Sequence, residues 1–117
     1  TARMKMILEF GNTKTFVRWN REAMYEESKG KTVQQLLDEF AVIRKENMVW
    51  FRSLNLTESD LDKPGMHPVL GDVTLRNLLA TWVVHDLTHI AQITRVMAKQ
   101  YKTEMGPWPE FFRILSF

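Results

Sequence analysis

An uninterrupted stretch without glycine or proline, residues 72–105, constrains the fold of this chain more than any other feature. Thr74, near its start, is a typical helix N-cap residue, and Gly106 followed by Pro107 is a typical helix stop. At about 3.6 residues per turn, the apolar side chains of this stretch fall on one broad arc. The members of the arc are Leu75, Leu78, Leu79, Trp82, Val83, Leu87, Ile90, Ile93, Val96 and Met97. We therefore predict a long helix that is largely buried.

Two histidines, His85 and His89, lie one helical turn apart in this stretch, His89 inside the apolar arc and His85 at its edge. A spacing of i, i+4 lets a helix present two imidazole nitrogens to one cation. The same spacing also suits two core histidines that are satisfied by hydrogen bonds to protein groups, and the pattern leaves both interpretations open. The helix differs from that of the zinc proteases, because Asp86 rather than glutamate follows the first histidine.

The C-terminal half carries a resemblance to a known family. Three segments carry it, namely H-P-V-L-G-D-V-T-L from His67, W-V-V-H-D-L-T-H-I-A-Q-I-T-R-V-M-A, and Y-K-T-E-M-G-P-W-P-E-F-F-R-I-L up to Leu115. Together they resemble the last part of a DinB-family protein, from the DinB/YfiT-like group of metal-dependent four-helix bundles. The resemblance implies a divalent metal held by three histidines, two of which match His85 and His89.

The resemblance places the third histidine on an earlier helix, where nothing in this chain matches it. His67 is a poor substitute, because the matching family segment is a connection before the last long helix. Residues 2–10 look like the tail of the family's second helix. We therefore expect an all-α, up-and-down four-helix bundle that is incomplete at its N-terminus, forms a single domain over residues 1–117, and takes its third ligand from outside this chain.

The remaining elements follow from local signals. Thr32 and Gln35 form a capping box at the start of a second long helix, predicted over about 33–54. The other predicted elements are a helix over 2–10 that ends at Gly11, a connection over 12–31 that is partly helical over 20–28, a single turn near 57–60, a turn at 63–65 followed by a loop, and a short helix over 110–115.

Composition limits the classes of function. Hydrophobic residues make up 44% and charged residues 26% of the 117 residues, which is ordinary for one globular domain. The 16 basic and 14 acidic side chains form no long run of one sign, so we expect no nucleic-acid partner. No apolar stretch is long enough to span a membrane. The chain has no cysteine, which excludes disulfides and thiolate ligands and suits a cytoplasmic protein.

Two functions are compatible with the sequence. The first, implied by the resemblance, is a metal-dependent enzyme of the hydrolase or thiol S-transferase type that acts on a small molecule. Its divalent ion would be zinc, nickel, iron or manganese, Asp86, Gln92 and Trp19 would lie in the second shell or line the pocket, and no catalytic residue is assigned. The second is a non-catalytic helical module, without metal, for oligomerisation or ligand binding. Because the bundle lacks a helix, we also expect a homodimer in which each protomer covers the other's open side.

Overall fold

A computed structural model describes residues 1–18 and 20–116, and these residues are mostly helical. The elements are α1 (Ala2–Phe10), α2 (Arg21–Ser28), α3 (Val33–Ser53), α4 (Glu58–Leu61), β1 (Pro64–His67), β2 (Gly71–Thr74) and α5 (Leu75–Gln100). Two 3₁₀ turns, Trp108–Phe111 and Arg113–Leu115, follow α5. The predicted all-α class is confirmed, with one small hairpin added. The chain divides into two compact units, Thr1–Leu78 and Leu79–Phe117.

The predicted N-caps of the two long helices are confirmed. The Thr32 hydroxyl accepts a bond from the Gln35 backbone N–H at 3.2 Å, and Gln35 Oε1 accepts one from the Thr32 N–H at 2.8 Å. Thr74 and Asn77 exchange the same two bonds, at 3.2 Å and 2.9 Å, where α5 begins. Neither α3 nor any other described helix combines the length and apolar character needed to cross a membrane.

The core of the first unit lies between α1 and the hairpin. Met4 and Ile7 of α1 are almost fully buried, as are Phe16 and Leu75. The Phe16 backbone N–H donates to the Met66 carbonyl at 2.9 Å, and this bond holds the segment after α1 against β1. This small core fixes the first residue of α5.

The hairpin corrects the sequence prediction of a turn and a loop at this place. Strands β1 and β2 pair antiparallel, from Pro64 opposite Thr74 to His67 opposite Gly71. Residues 72–74 belong to β2, and α5 begins at Leu75, directly after the predicted N-cap Thr74. The Leu75 N–H donates to the Lys63 carbonyl at 3.0 Å and connects the start of α5 to the start of the hairpin.

The second unit consists of most of α5 and the chain that follows it. The helix ends at Gln100, and residues 101–107 are turns, so the predicted helical end at residue 105 is wrong. The predicted short helix over 110–115 is replaced by the two 3₁₀ turns, in which Leu115 is buried and Phe111 is exposed. Pro109 in the first turn limits regular helix there.

The predicted burial of α5 differs from the structure. Leu75 is the one buried residue of this 26-residue helix, whereas Val83, Leu87 and Ile90 each expose more than half of their surface. An apolar arc becomes buried only where another element runs beside it. Within the described part of the second unit, only short turns follow α5, and they cannot cover a helix of this length.

Candidate metal centre on the last helix

His85 and His89 project from the middle of α5, well inside both of its ends. No residue of the helix interrupts its hydrogen bonding, because the whole of Leu75–Gln100 lacks glycine and proline. Side chains four residues apart in such a helix lie on the same face, one above the other. The two imidazoles are therefore brought together by local structure alone.

The two rings converge through the same ring nitrogen. His85 Nε2 and His89 Nε2 lie 3.3 Å apart, the ring centroids are 4.4 Å apart, and the ring planes meet at 81°. Both side chains are exposed in this chain. The pair is thus open to a ligand that approaches from solvent.

A third side chain, Gln92, joins the pair from the same helix. His89 Nδ1 and Gln92 Oε1 lie 2.9 Å apart, which is a normal hydrogen-bond distance. Because the amide oxygen only accepts, this bond requires the tautomer of His89 that carries its proton on Nδ1. The remaining nitrogen of His89, Nε2, then has a free lone pair directed at His85.

The separation of the two Nε2 atoms fits a shared cation. Zinc–imidazole distances of about 2.0–2.1 Å in a tetrahedral site place two ligand nitrogens about 3.3–3.4 Å apart. The observed 3.3 Å lies within this range. The same distance also permits a hydrogen bond from one imidazole to the other, so the geometry suits both a metal-loaded and a metal-free pair.

A complete metal site requires more than this pair. Within residues 1–18 and 20–116, no group of three or more His, Cys, Asp or Glu side chains is arranged to hold a metal ion. A metal ion at this place would therefore find two imidazole nitrogens among the described residues, and its other positions would be left for water or for groups from elsewhere.

His67 differs from the other two histidines in that it hydrogen-bonds to the backbone of the hairpin turn. Its Nδ1 accepts bonds from the backbone N–H groups of Val69 and Leu70, at 3.2 Å and 3.1 Å, and its ring packs edge-on against Phe16. A neutral ring that accepts at Nδ1 carries its proton on Nε2. Nδ1 is thereby occupied in forming the hairpin turn, and the exclusion of His67 as the third ligand remains a prediction.

The other two predicted pocket residues, besides Gln92, are Asp86 and Trp19. Asp86 is half-buried on α5 directly after His85, and its proposed second-shell role remains a prediction. Trp19 lies outside the described residues. A shallow groove on α3 is lined by Val42, Lys45, Glu46, Val49 and Trp50 and includes none of the predicted site residues.

An ion-pair cluster at the start of α5 was missed at the sequence level. Arg76 Nη2 lies 2.8 Å from Glu58 Oε2 and 3.4 Å from Asp62 Oδ1. The hydrogen bond to Glu58 raises the pKa of Arg76, which stays charged in any case. The local sequence gives no signal for these pairs, since they link residues 14 and 18 positions apart.

Comparison with known proteins adds one match. A family model described as the DinB superfamily covers residues 1–93 of the 117, a segment that includes His67, His85, His89 and Gln92. No curated protein sequence matches the chain. The matched segment begins at the first residue, so it also covers the N-terminal helices, where the sequence resemblance was weakest.

Proposed function

Because this chain belongs to the DinB superfamily, we propose that it binds a divalent metal ion through Nε2 of His85 and Nε2 of His89. The observation that carries the proposal is the 3.3 Å separation of these two atoms, which equals the spacing expected of two ligands on one tetrahedral ion. Zinc, nickel, iron and manganese are all compatible with imidazole ligands, and we propose that a third ligand comes from outside this chain.

In this proposal the protein acts as a metal-dependent enzyme of the hydrolase or thiol S-transferase type on a small molecule. Such an ion would lower the pKa of a bound water or thiol and so supply a nucleophile. The histidines would contribute two converging Nε2 atoms, and Gln92 would contribute by orienting the His89 ring. We also propose that the protein is located in the cytoplasm.

Metal content tests the proposal directly. The chain is purified, exposed to a mixture of divalent ions, and freed of unbound metal before plasma mass spectrometry. We expect bound metal in the natural chain and loss of that metal in the double variant His85→Ala, His89→Ala. Unchanged metal content in the double variant would reject the proposal.

The control for this experiment is a variant of His67, the histidine that lies outside α5. His67→Asn removes an imidazole but retains a side-chain oxygen that can accept from the backbone N–H groups of Val69 and Leu70. We expect this variant to keep its metal. Loss of metal in His67→Asn would mean that His67 is itself a ligand.

A second candidate function is a non-catalytic helical module that acts by self-association or by binding a small ligand. Two observations favour it: the described residues offer no group of three metal-binding side chains, and the apolar faces of α3 and α5 are exposed. In this case His85 and His89 would simply bond to each other and to Gln92. A natural chain that takes up no metal from the mixture would favour this module.

A further inference from the structure

We infer that Gln92 is a positioning residue that fixes His89 in one tautomer, and that the two histidines therefore enter the metal site in different states. The first part rests on geometry alone. The second part, and with it a contribution of Gln92 to metal affinity, rests on the proposed function.

The contacts of His89 determine which ring nitrogens of His85 and His89 carry protons. Gln92 Oε1 accepts from His89 Nδ1 at 2.9 Å, so neutral His89 has its proton on Nδ1 and a bare Nε2. At 3.3 Å, His85 Nε2 then has to be the donor in the contact between the rings. The metal-free pair is thus a directed chain of hydrogen bonds, from His85 to His89 and from His89 to Gln92.

In this arrangement the two histidines differ in their readiness to bind a cation. His89 already presents the lone pair that a metal needs, whereas the matching position on His85 carries a proton. To bind through Nε2, His85 loses that proton to solvent and gains one on Nδ1, so the ring stays neutral and the proton count is unchanged. Gln92 therefore prepares one ligand in advance and leaves the other to rearrange.

The amide of Gln92 is well placed to hold the His89 ring in one tautomer. Gln92 lies three residues after His89 on α5, where side chains of one helical face meet. A residue of equal length without an acceptor would leave both imidazoles free to exchange tautomers. Groups that hydrogen-bond to the second nitrogen of a ligating histidine typically contribute about 10–100-fold to metal affinity.

The test uses two variants of matched length, Gln92→Glu, which keeps an oxygen acceptor, and Gln92→Met, which does not. Long-range ¹H–¹⁵N correlation spectra of the metal-free chain, recorded in mildly alkaline buffer, report which ring nitrogen carries the proton. We expect Nδ1–H for His89 and Nε2–H for His85 in the natural chain and in Gln92→Glu. In Gln92→Met we expect a mixture of tautomers at His89.

Zinc affinity is then measured by competition with a chromophoric chelator. We expect the zinc Kd to rise about 10–100-fold in Gln92→Met and to stay within a few-fold of natural in Gln92→Glu. Circular dichroism checks that both variants keep their helix content. Equal zinc affinity in Gln92→Met and the natural chain would overturn the second part of the inference.

The positioning role of Gln92 and the binding of metal can be disproved separately. An Nε2–H proton on His89 in the natural chain, or an unchanged tautomer in Gln92→Met, would overturn the inference whether or not the chain binds metal. Absence of zinc binding together with the expected tautomers would overturn the proposed function and leave the positioning role of Gln92 in place.

Discussion

At the scale of single residues, Gly65 shows how close the packing of the small core is. A Cβ atom at this position would lie 2.6 Å from Ile7 Cγ1 and 2.9 Å from Phe16 Cζ, well inside normal contact distance. The other four glycines adopt positive φ, but Gly65 does not. Glycine is needed at position 65 because of the space available, not because of the backbone conformation.

We therefore expect Gly65→Ala to lower the free energy of unfolding by about 1–3 kcal/mol, since the added methyl group overpacks the contact between α1 and β1. Chemical denaturation followed by circular dichroism measures the change. A double variant with Ile7→Ala serves as the control, because removing most of the Ile7 side chain makes room for the methyl group, so the two changes should be less than additive. A Gly65→Ala chain within about 0.5 kcal/mol of natural stability would contradict the prediction.

The candidate site shows which residue-level features a sequence can predict. His85, His89 and Gln92 lie within eight consecutive residues of one helix, and regular helix geometry alone brings positions i, i+4 and i+7 to one face. Their convergence could therefore be inferred from spacing. A third ligand depends on how distant parts of a chain, or different chains, come together, and the spacing of residues on one helix carries no such information.

At the scale of elements, the short helix α4 is held by Asp60. Its carboxylate accepts from the Thr57 backbone N–H and hydroxyl, both at 2.8 Å, and pairs with Lys63 Nζ at 2.8 Å. These bonds, first of all the one from Lys63, hold the pKa of Asp60 well below its usual range. Asp60 thus joins the capping box of α4 to Lys63, the residue that leads into β1.

The lowered pKa of Asp60 predicts a specific pH dependence. A carboxyl group whose pKa is lower in the folded chain stabilises the fold fully above its unfolded value, about 3.9, and loses that contribution as pH falls toward the folded value. We expect the natural chain to be more stable than Asp60→Asn near neutral pH, and this difference to shrink below about pH 4. Denaturant titrations across that range measure it.

The control for this experiment is Asp38→Asn, which removes an exposed carboxylate of α3 that accepts from Gln34 Nε2 at 2.8 Å. It reproduces the change in net charge without touching α4. A difference between the natural chain and Asp60→Asn that is constant from neutral to acidic pH would show that Asp60 does not contribute through its charge.

The hairpin is the element that sequence reasoning missed, and the reason is physical. Strands β1 and β2 have four residues each, and P-G-M-H and G-D-V-T lack the β-branched and aromatic alternation that indicates a strand. Their pairing is supported from outside by the bonds from Phe16 to Met66 and from Leu75 to Lys63. Helix starts, by contrast, were predictable because a cap is made by neighbours three residues apart.

At the scale of the whole molecule, each of the two units presents an apolar helix face of its own. On α3 the exposed apolar residues include Leu37, Phe40 and Ile43, and on α5 they include Leu87, Ile90, Ile93 and Met97, each with more than half of its surface exposed. Contiguous apolar faces of this kind in soluble chains typically mark interaction surfaces. The single-domain organisation expected for residues 1–117 remains a prediction.

We propose that a second copy of the chain covers the α5 face in a two-fold dimer, because a closed, symmetric pair is the commonest way for a soluble chain to bury such a face. Size-exclusion chromatography with light scattering should give twice the chain mass of 13.8 kDa at high concentration, falling toward that mass on dilution. Ile90→Glu places a charge in the apolar face and should give the monomer mass throughout, whereas Gln100→Glu adds the same charge at the end of α5 and should behave like the natural chain. A monomeric mass for the natural chain at every concentration would exclude the dimer. A dimer that persists in Ile90→Glu would place the interface away from the middle of α5.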